Sequence, residues 1–380
     1  MSVYSDILAQ LSARGNLRRI PAGTAAGGET VVDLSSNDYL GLGADPELQR
    51  QFMSEESNRT LPLTSSASRL LAGRQEEYAS LEALLEELYG RPALLFNSGY
   101  HANTGLVSAL AGVAGCMIVA DRLVHASIID GIMLSKAPFT RFRHNDMDHL
   151  ERILAKESPR HERLIVIVES VYSMDGDRAD IDALVALKRR YPNVMLYVDE
   201  AHALGVEGPR GLGICRGAEG YGEIDVVVGT FGKACASMGA FAAVSAELKG
   251  FLINSSRSFI FSTALPPISA AWTEWVIRRM IGMDDRREAL KALGRRLHSI
   301  LSPLQPGTVV TPSHIQPLVT GDPHKAVALS AALLEHGFKV LPIRTPTVPP
   351  GTERLRFSLS ASISPGQLDR LEDFFRNNEI

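Results

Sequence analysis

Two short stretches decide how this chain is read: Val198-Asp199-Glu200-Ala201-His202, and then Gly229-Thr230-Phe231-Gly232-Lys233. Each closes an apolar run, Met195–Val198 and Val226–Val228, with the continuous hydrophobicity of a strand buried on both faces of a parallel sheet. In open α/β sheets ligands gather outside the carboxyl ends of the strands, so Asp199, His202, Thr230 and Lys233 are expected to converge. An acid that holds a pyridine nitrogen protonated, with a lysine that forms an imine with an aldehyde, is the pair that pyridoxal 5'-phosphate requires. That cofactor is the expectation.

Outward from these motifs, strands are expected at Ala93–Phe96, Cys116–Ala120, Leu164–Glu169, Met195–Asp199, Asp225–Gly229 and Phe241–Val244, with helices starting near His101, Ser127, Met147 and Asp180. Such alternation predicts an α/β fold with a mostly parallel sheet covered on both faces. A helix at Glu76–Tyr89 ends at Gly90, and an amphipathic helix over Tyr4–Arg14 places Ile7, Leu8 and Leu11 on one face. From Pro266 to Pro303 the pattern is long and helical, and the remainder reads as a smaller α/β lobe. The expected division is an N-terminal segment over 1–45, a large cofactor-binding domain over 46–280 and a small C-terminal domain over 281–380.

Composition narrows the classes. With 380 residues, 45% hydrophobic and 22% charged, the chain has the make-up of a globular protein. A net charge of −4 gives no basic footprint for nucleic acid or anionic membrane. Cys116, Cys215 and Cys235 form no CxxC pair, and Met1–Leu17 lacks an apolar signal core, which fits a cytoplasmic protein. The uncharged stretch Ala102–Ala120 contains Asn103, Thr104, Ser108 and a Gly112–Gly115 break, so it reads as a buried helix and a strand rather than a membrane span.

Each candidate has a competing reading. Gly232-Lys233 invites comparison with a phosphate-binding loop, but GxxxxGK[ST] needs glycine at Val227 and Ser or Thr at Ala234. Desolvation of a lysine bounded by Gly232 and Ala234 would lower its pKa toward the neutral form that imine chemistry uses. Asp199 could serve only as a helix cap, yet Lys233 in the next strand–loop unit favours a pyridinium partner. Asp199 and His202 have no third ligand at metal spacing, so no metal is expected. The Asn97–His101 turn, with Gly99, opens a helix after a strand and so offers backbone N–H groups to a phosphate; Thr230, Ser262 and Thr263 add hydroxyls. His125 follows another strand and is read either as a helix-start residue or as an imidazole stacked on the cofactor ring, and Ser173 as a donor near it. Arg354 and Arg356 share one face of an alternating strand, and either guanidinium could fork onto an amino-acid carboxylate.

With these residues in place, the chain resembles the α-oxoamine synthases of the fold-type I pyridoxal-phosphate enzymes. The resemblance runs from Ser36-Asn37-Asp38-Tyr39-Leu40-Gly41-Leu42 through Asp199-Glu200-Ala201-His202, Gly205, Gly208–Gly213 and Thr230–Lys233 to Arg354-Leu355-Arg356. It implies an aminotransferase-like large domain, a smaller C-terminal domain and a homodimer with shared active sites. It further implies Lys233 as the covalent anchor, Asp199 at the pyridine nitrogen, His202 at the ring oxygen and His125 stacked on the ring. Ser173 and Thr230 become implied cofactor contacts, with Gly99 and Tyr100 on the phosphate side and Ser262-Thr263 arriving from the other subunit. Arg18, Asn37, His125, Thr347 and Arg356 match substrate positions. Within the family, Thr230–Lys233 and Arg344-Thr345-Pro346-Thr347-Val348-Pro349 point to L-alanine and a pimeloyl thioester, in biotin biosynthesis. Members that use glycine or serine with other acyl groups are the alternative, and a nucleotide-binding module using Gly232-Lys233 is the remote one. One departure is the stretch Leu63–Arg69, which replaces a glycine-rich segment and keeps only its Arg69.

Overall fold

The computed structural model describes residues 2–20, 31–308 and 310–378. Twelve strands occur among the described residues: β1 Val32–Asp33, β2 Ala93–Phe96, β3 Cys116–Asp121, β4 Phe139–Phe142, β5 Arg163–Glu169, β6 Val194–Asp199, β7 Val226–Thr230, β8 Ala240–Ala243, β9 Ile315–Val319, β10 Phe338–Lys339, β11 Leu341–Ile343 and β12 Arg354–Ser358. The chain divides into two compact units.

The larger unit, Leu40–Ser173 with Arg178–Arg287, carries a seven-stranded sheet in the order β2-β8-β7-β6-β5-β3-β4. Strands β4, β3, β5, β6 and β7 run parallel, and β8 lies antiparallel to both β2 and β7. All six expected strands form, within one or two residues of their sequence limits. The strand missed in the sequence is β4, an edge strand of four residues in which only Phe142 is buried, too short and too exposed to leave an apolar run. Ile118, Ile165, Tyr197 and Val228 from neighbouring strands pack with Leu106 and Ile128 from two covering helices in one core. Burying such side chains contributes about 1.5–3 kcal/mol each.

Helices Gly99–Ala111, Ala126–Ser135, Met147–Glu157 and Ile181–Arg190 follow their strands, each opened by a side-chain cap: Ser98, His125, Asp146 and Asp180. The Ala102–Ala120 stretch divides into the first of these helices and β3. No helix among the described residues is long and apolar enough to cross a membrane. The long pattern after Pro266 is two helices, Pro267–Met280 and Asp284–Leu301. Within the first, Trp272 and Trp275 stack at 5.5 Å and meet the edge of Phe52, so they serve packing.

The smaller unit contains Met174–Asp177 and most of both chain ends. Its antiparallel sheet runs β11-β12-β9, and β1 pairs in parallel with β10. Helix Pro365–Asn377 begins with a capping box between Ser364 and Gln367. The first helix, Val3–Ala13, buries none of its residues, and its predicted apolar face, Ile7, Leu8 and Leu11, stays exposed.

Candidate active site

The parallel register brings the chemistry to one edge of the larger sheet. Asp199 is the last residue of β6, lies opposite Glu169 of β5 and is 4% exposed. Its Oδ1 accepts the Ala201 N–H at 2.8 Å, and its Oδ2 accepts from Asn103 Nδ2 at 2.7 Å. Three residues on, buried His202 places Nε2 2.7 Å from Lys233 Nζ, in the turn after β7. Lys233 is half-buried, more open than its small neighbours suggest.

The loop between these motifs explains its glycines. A Cβ on Gly205 (φ +85°) would stand 2.4 Å from Ala234 Cβ, beside the lysine. At Gly213 (φ +94°) it would stand 1.8 Å from Glu200 Oε2. Both positions need a left-handed backbone and no side chain. Fully enclosed Glu200 accepts the Cys215 N–H at 3.1 Å, so the glycines let the loop close over it. Burial pushes the Glu200 carboxyl up to about 7.

His125 caps the helix Ala126–Ser135: its Nδ1 accepts the Ser127 N–H at 3.2 Å and lies 2.7 Å from Ser127 Oγ. The residue keeps accessible surface, yet desolvation by the surrounding protein pushes its pKa down, with the Lys233 charge acting the same way and Asp199 opposing. Glu169, 2% exposed with Oε1 lacking a hydrogen-bond partner, is raised to about 8 by burial and by Asp199 beside it. Lys233 and the backbone amides of His125 and Ser173 act against that rise. Asp199, Lys233, His125, Ser173 and Glu169 therefore share one neighbourhood. Neither Glu169 nor Asn103 is assigned a role by the sequence motifs. The available signals are an acid closing an apolar strand and a polar residue one turn into an apolar helix.

The second half of the site is the turn before helix Gly99–Ala111. A Cβ on Gly99 would meet Thr230 Cβ at 3.5 Å, so this helix N-terminus and the Thr230 hydroxyl adjoin. Thr230 Oγ1 donates to Gly239 O at 3.1 Å. Tyr100 is half exposed and donates to Asp130 Oδ2 at 2.6 Å. Ser262 Oγ accepts from Asn97 Nδ2 at 2.8 Å, and the same amide reaches Thr263 O, so this pair lies against the turn of its own chain.

The four remaining candidates lie in the smaller unit and pair with one another. Arg356 Nη1 donates to Asn37 Oδ1 at 3.1 Å, and Arg18 Nη2 to Thr347 Oγ1 at 2.9 Å. Both strand arginines are 7% exposed, since β12 is the central strand of its sheet. They differ in what they bind: Arg354 is committed to Asp175 and to Thr352 O, whereas Arg356 lies on Asn37.

Comparison with known proteins adds to this geometry. The aminotransferase class I and II family matches residues 29–375. The 8-amino-7-oxononanoate synthase of Chlorobaculum parvum is 45% identical over 353 residues, covering 91% of this chain and 88% of that protein. A solved structure of SPT with its PLP internal aldimine superposes with a TM-score of 0.89 at 30% identity, covering 99% of this chain and 98% of that one. The 8-amino-7-oxononanoate synthase of Francisella tularensis gives 0.77 at 25% identity, over 93% and 99% of the two chains. This chain belongs to the aminotransferase class I and II family, in its α-oxoamine synthase group, and its cofactor is pyridoxal phosphate. The donor set fits that group: an amine at Lys233, a buried carboxyl at Asp199, and a helix N-terminus beside a hydroxyl at Gly99 and Thr230.

Proposed function

We propose that this enzyme condenses L-alanine with a pimeloyl thioester, carried by coenzyme A or a carrier protein, to give 8-amino-7-oxononanoate, carbon dioxide and free thiol in cytoplasmic biotin biosynthesis. The observation that carries the chemistry is Lys233 Nζ at 2.7 Å from His202 Nε2, with Asp199 and His125 in the same electrostatic neighbourhood. The choice of alanine and pimeloyl rests on the 45% identity with the Chlorobaculum parvum synthase and on the Arg344–Pro349 stretch.

When bound, the cofactor supplies an aldehyde that takes up the substrate amine and a ring that draws electrons from Cα. Lys233 would be the covalent anchor and the base that takes the Cα proton and later returns one. General acid–base work of this kind contributes about 10²–10⁴-fold. His202 receives or returns a proton at Lys233 Nζ across their hydrogen bond and orients the amine. Asp199 holds a proton at the ring nitrogen. Next to it Glu169, whose pKa burial and the Asp199 charge push up, favours the neutral form and so limits the negative charge beside Asp199. His125 offers its accessible ring as a stacking surface. Gly99, Tyr100, Thr230 and Ser173 would hold the cofactor's oxygens, with Ser262 and Thr263 supplied by the other subunit; Arg356 with Asn37 would take the substrate carboxylate, and Arg18 and Thr347 would be further substrate contacts.

A second reading is a serine-type synthase, favoured by the TM-score of 0.89 with SPT. One assay separates them: thiol release from pimeloyl, acetyl, succinyl and palmitoyl thioesters, each with alanine, glycine or serine. Fastest release with alanine and pimeloyl thioester is expected, and preference for serine with palmitoyl thioester would replace the reading. Borohydride treatment and peptide mapping should place the pyridoxyl label on Lys233 and find none in Lys233→Ala. A label on any other lysine removes the mechanism.

A further inference from the structure

We infer that Asn103 is a positioning residue that orders Asp199 and His125 through a single buried hydrogen-bond chain running from Tyr197 to the imidazole. The inference rests on the cofactor-handling roles proposed for those two residues.

Asn103 is the fifth residue of the helix Gly99–Ala111 and is 2% exposed. Tyr197 OH donates to its Oδ1 at 2.6 Å, and its Nδ2 donates to Asp199 Oδ2 at 2.7 Å and to Ser127 Oγ at 2.9 Å. The orientation of the amide follows from chemistry: an ionised carboxylate only accepts, so the NH₂ end must face Asp199. Both amide hydrogens are then used, and the carbonyl end is left for the Tyr197 hydroxyl. Ser127, 0% exposed, receives one of those hydrogens and lies 2.7 Å from His125 Nδ1, which the Ser127 N–H marks as an acceptor, so the Ser127 hydroxyl donates to it. The Ser127 N–H points to the same nitrogen at 3.2 Å.

With two donors on Nδ1, the ring proton resides on Nε2 and the imidazole is neutral. Desolvation by the surrounding protein favours the same form of His125. The polarity of the chain is therefore unique: Tyr197 to Asn103, then to Asp199 on one arm and through Ser127 to His125 on the other. Its polar members other than His125 lie in the interior, where an unmade hydrogen bond costs about 1–3 kcal/mol. Asn103 is the one residue on both arms.

The test uses Asn103→Ala and Ser127→Ala, with Tyr197→Phe as a third variant that deletes a single oxygen. In cofactor-free protein, ¹⁵N shifts of the His125 ring report tautomer and titration without any turnover. Wild type is expected as the neutral Nε2–H form. Asn103→Ala and Ser127→Ala should admit the Nδ1–H form and raise the His125 pKa. In the loaded enzyme, exchange of the alanine Cα proton should fall about 10–150-fold in Asn103→Ala, the equivalent of one charge-assisted hydrogen bond, and less in Ser127→Ala, which keeps the Asp199 arm. Folded variants that retain the wild-type tautomer, or an Asn103→Ala enzyme with wild-type exchange, would overturn the inference. Should Asn103→Ala not fold, the tautomer in Ser127→Ala and the exchange rate in Tyr197→Phe decide it. A wild-type enzyme with no alanine exchange would sink the proposed function instead, while the ring shifts still judge Asn103.

Discussion

At the scale of single residues, the structure separates two arginines that the sequence leaves equivalent. Alternation along β12 puts Arg354 and Arg356 on one face, and both are buried, so neither pattern nor exposure distinguishes them. Their partners do. Arg354 is neutralised by Asp175, whereas Arg356 meets the neutral amide oxygen of Asn37. The ion pair with Asp175 already engages Arg354, which leaves Arg356, the residue that matches a substrate position of the family, as the candidate to fork onto a carboxylate. Arg356→Ala should therefore weaken alanine binding about 10–150-fold, read as an alanine titration of the cofactor's visible spectrum. Arg354→Ala, which strips Asp175 of its partner, should act chiefly on thermal stability. A larger loss of alanine affinity in Arg354→Ala would show that the carboxylate ligand had been assigned to the wrong arginine. As candidates, Lys233, Asp199 and His202 are legible in the sequence because each terminates or follows a recognisable apolar strand. Asn103 is not, because a lone asparagine in an apolar helix gains meaning only from partners 24 and 96 residues away.

At the scale of elements, the strand ends determine the electrostatics. Parallel pairing of β5 with β6 sets Glu169 opposite Asp199, two acids side by side that periodicity cannot reveal, since register between strands is a tertiary fact. Folding raises the Glu169 pKa from 4.5 to about 8, mainly through burial and then through Asp199. The folded state therefore binds more protons than the unfolded chain between those two values, and stability falls as pH rises through that window. Lys233 and the amides of His125 and Ser173 face the same carboxyl and oppose the shift, so they are already contained in it. Glu169→Gln keeps the neutral shape at every pH. In cofactor-free protein its melting temperature should match wild type near pH 5 and exceed it increasingly toward pH 8. The check is a pair of melting curves across pH 5–9, and a difference that stays constant would show that Glu169 does not carry the raised pKa. The strands themselves were readable because burial on both faces makes each a continuous apolar run. β4, exposed along most of its length, left no such trace.

At the scale of the whole molecule, the resemblance to the family implies a homodimer, and the larger unit offers a surface suited to one. The bridge between Ser68 and Thr263, with the Ala264 N–H on Ala67 O at 2.9 Å, ties two segments together. Those segments expose Leu70, Leu71 and Phe261 at 52%, 79% and 70%. Large exposed apolar side chains on two segments bridged to each other suit a surface that another protein covers. The same two segments include Ser262 and Thr263, which lie against Asn97 at the proposed phosphate turn, so a second copy seated there would border the site. A standard interface buries roughly 1,600 Å² in total, with its energy concentrated in a few central apolar anchors. Charges introduced at such anchors should separate the subunits. Wild type is expected to sediment at twice its 41.2 kDa chain mass, and the Leu71→Asp, Phe261→Asp double variant at the mass of one chain, with lower cofactor retention. Both positions are exposed, so the variant should keep its fold, which circular dichroism checks independently. A wild-type protein that sediments as a monomer at micromolar concentration would remove the dimer that the resemblance implies, and a dimer untouched by the two aspartates would move its interface to another face.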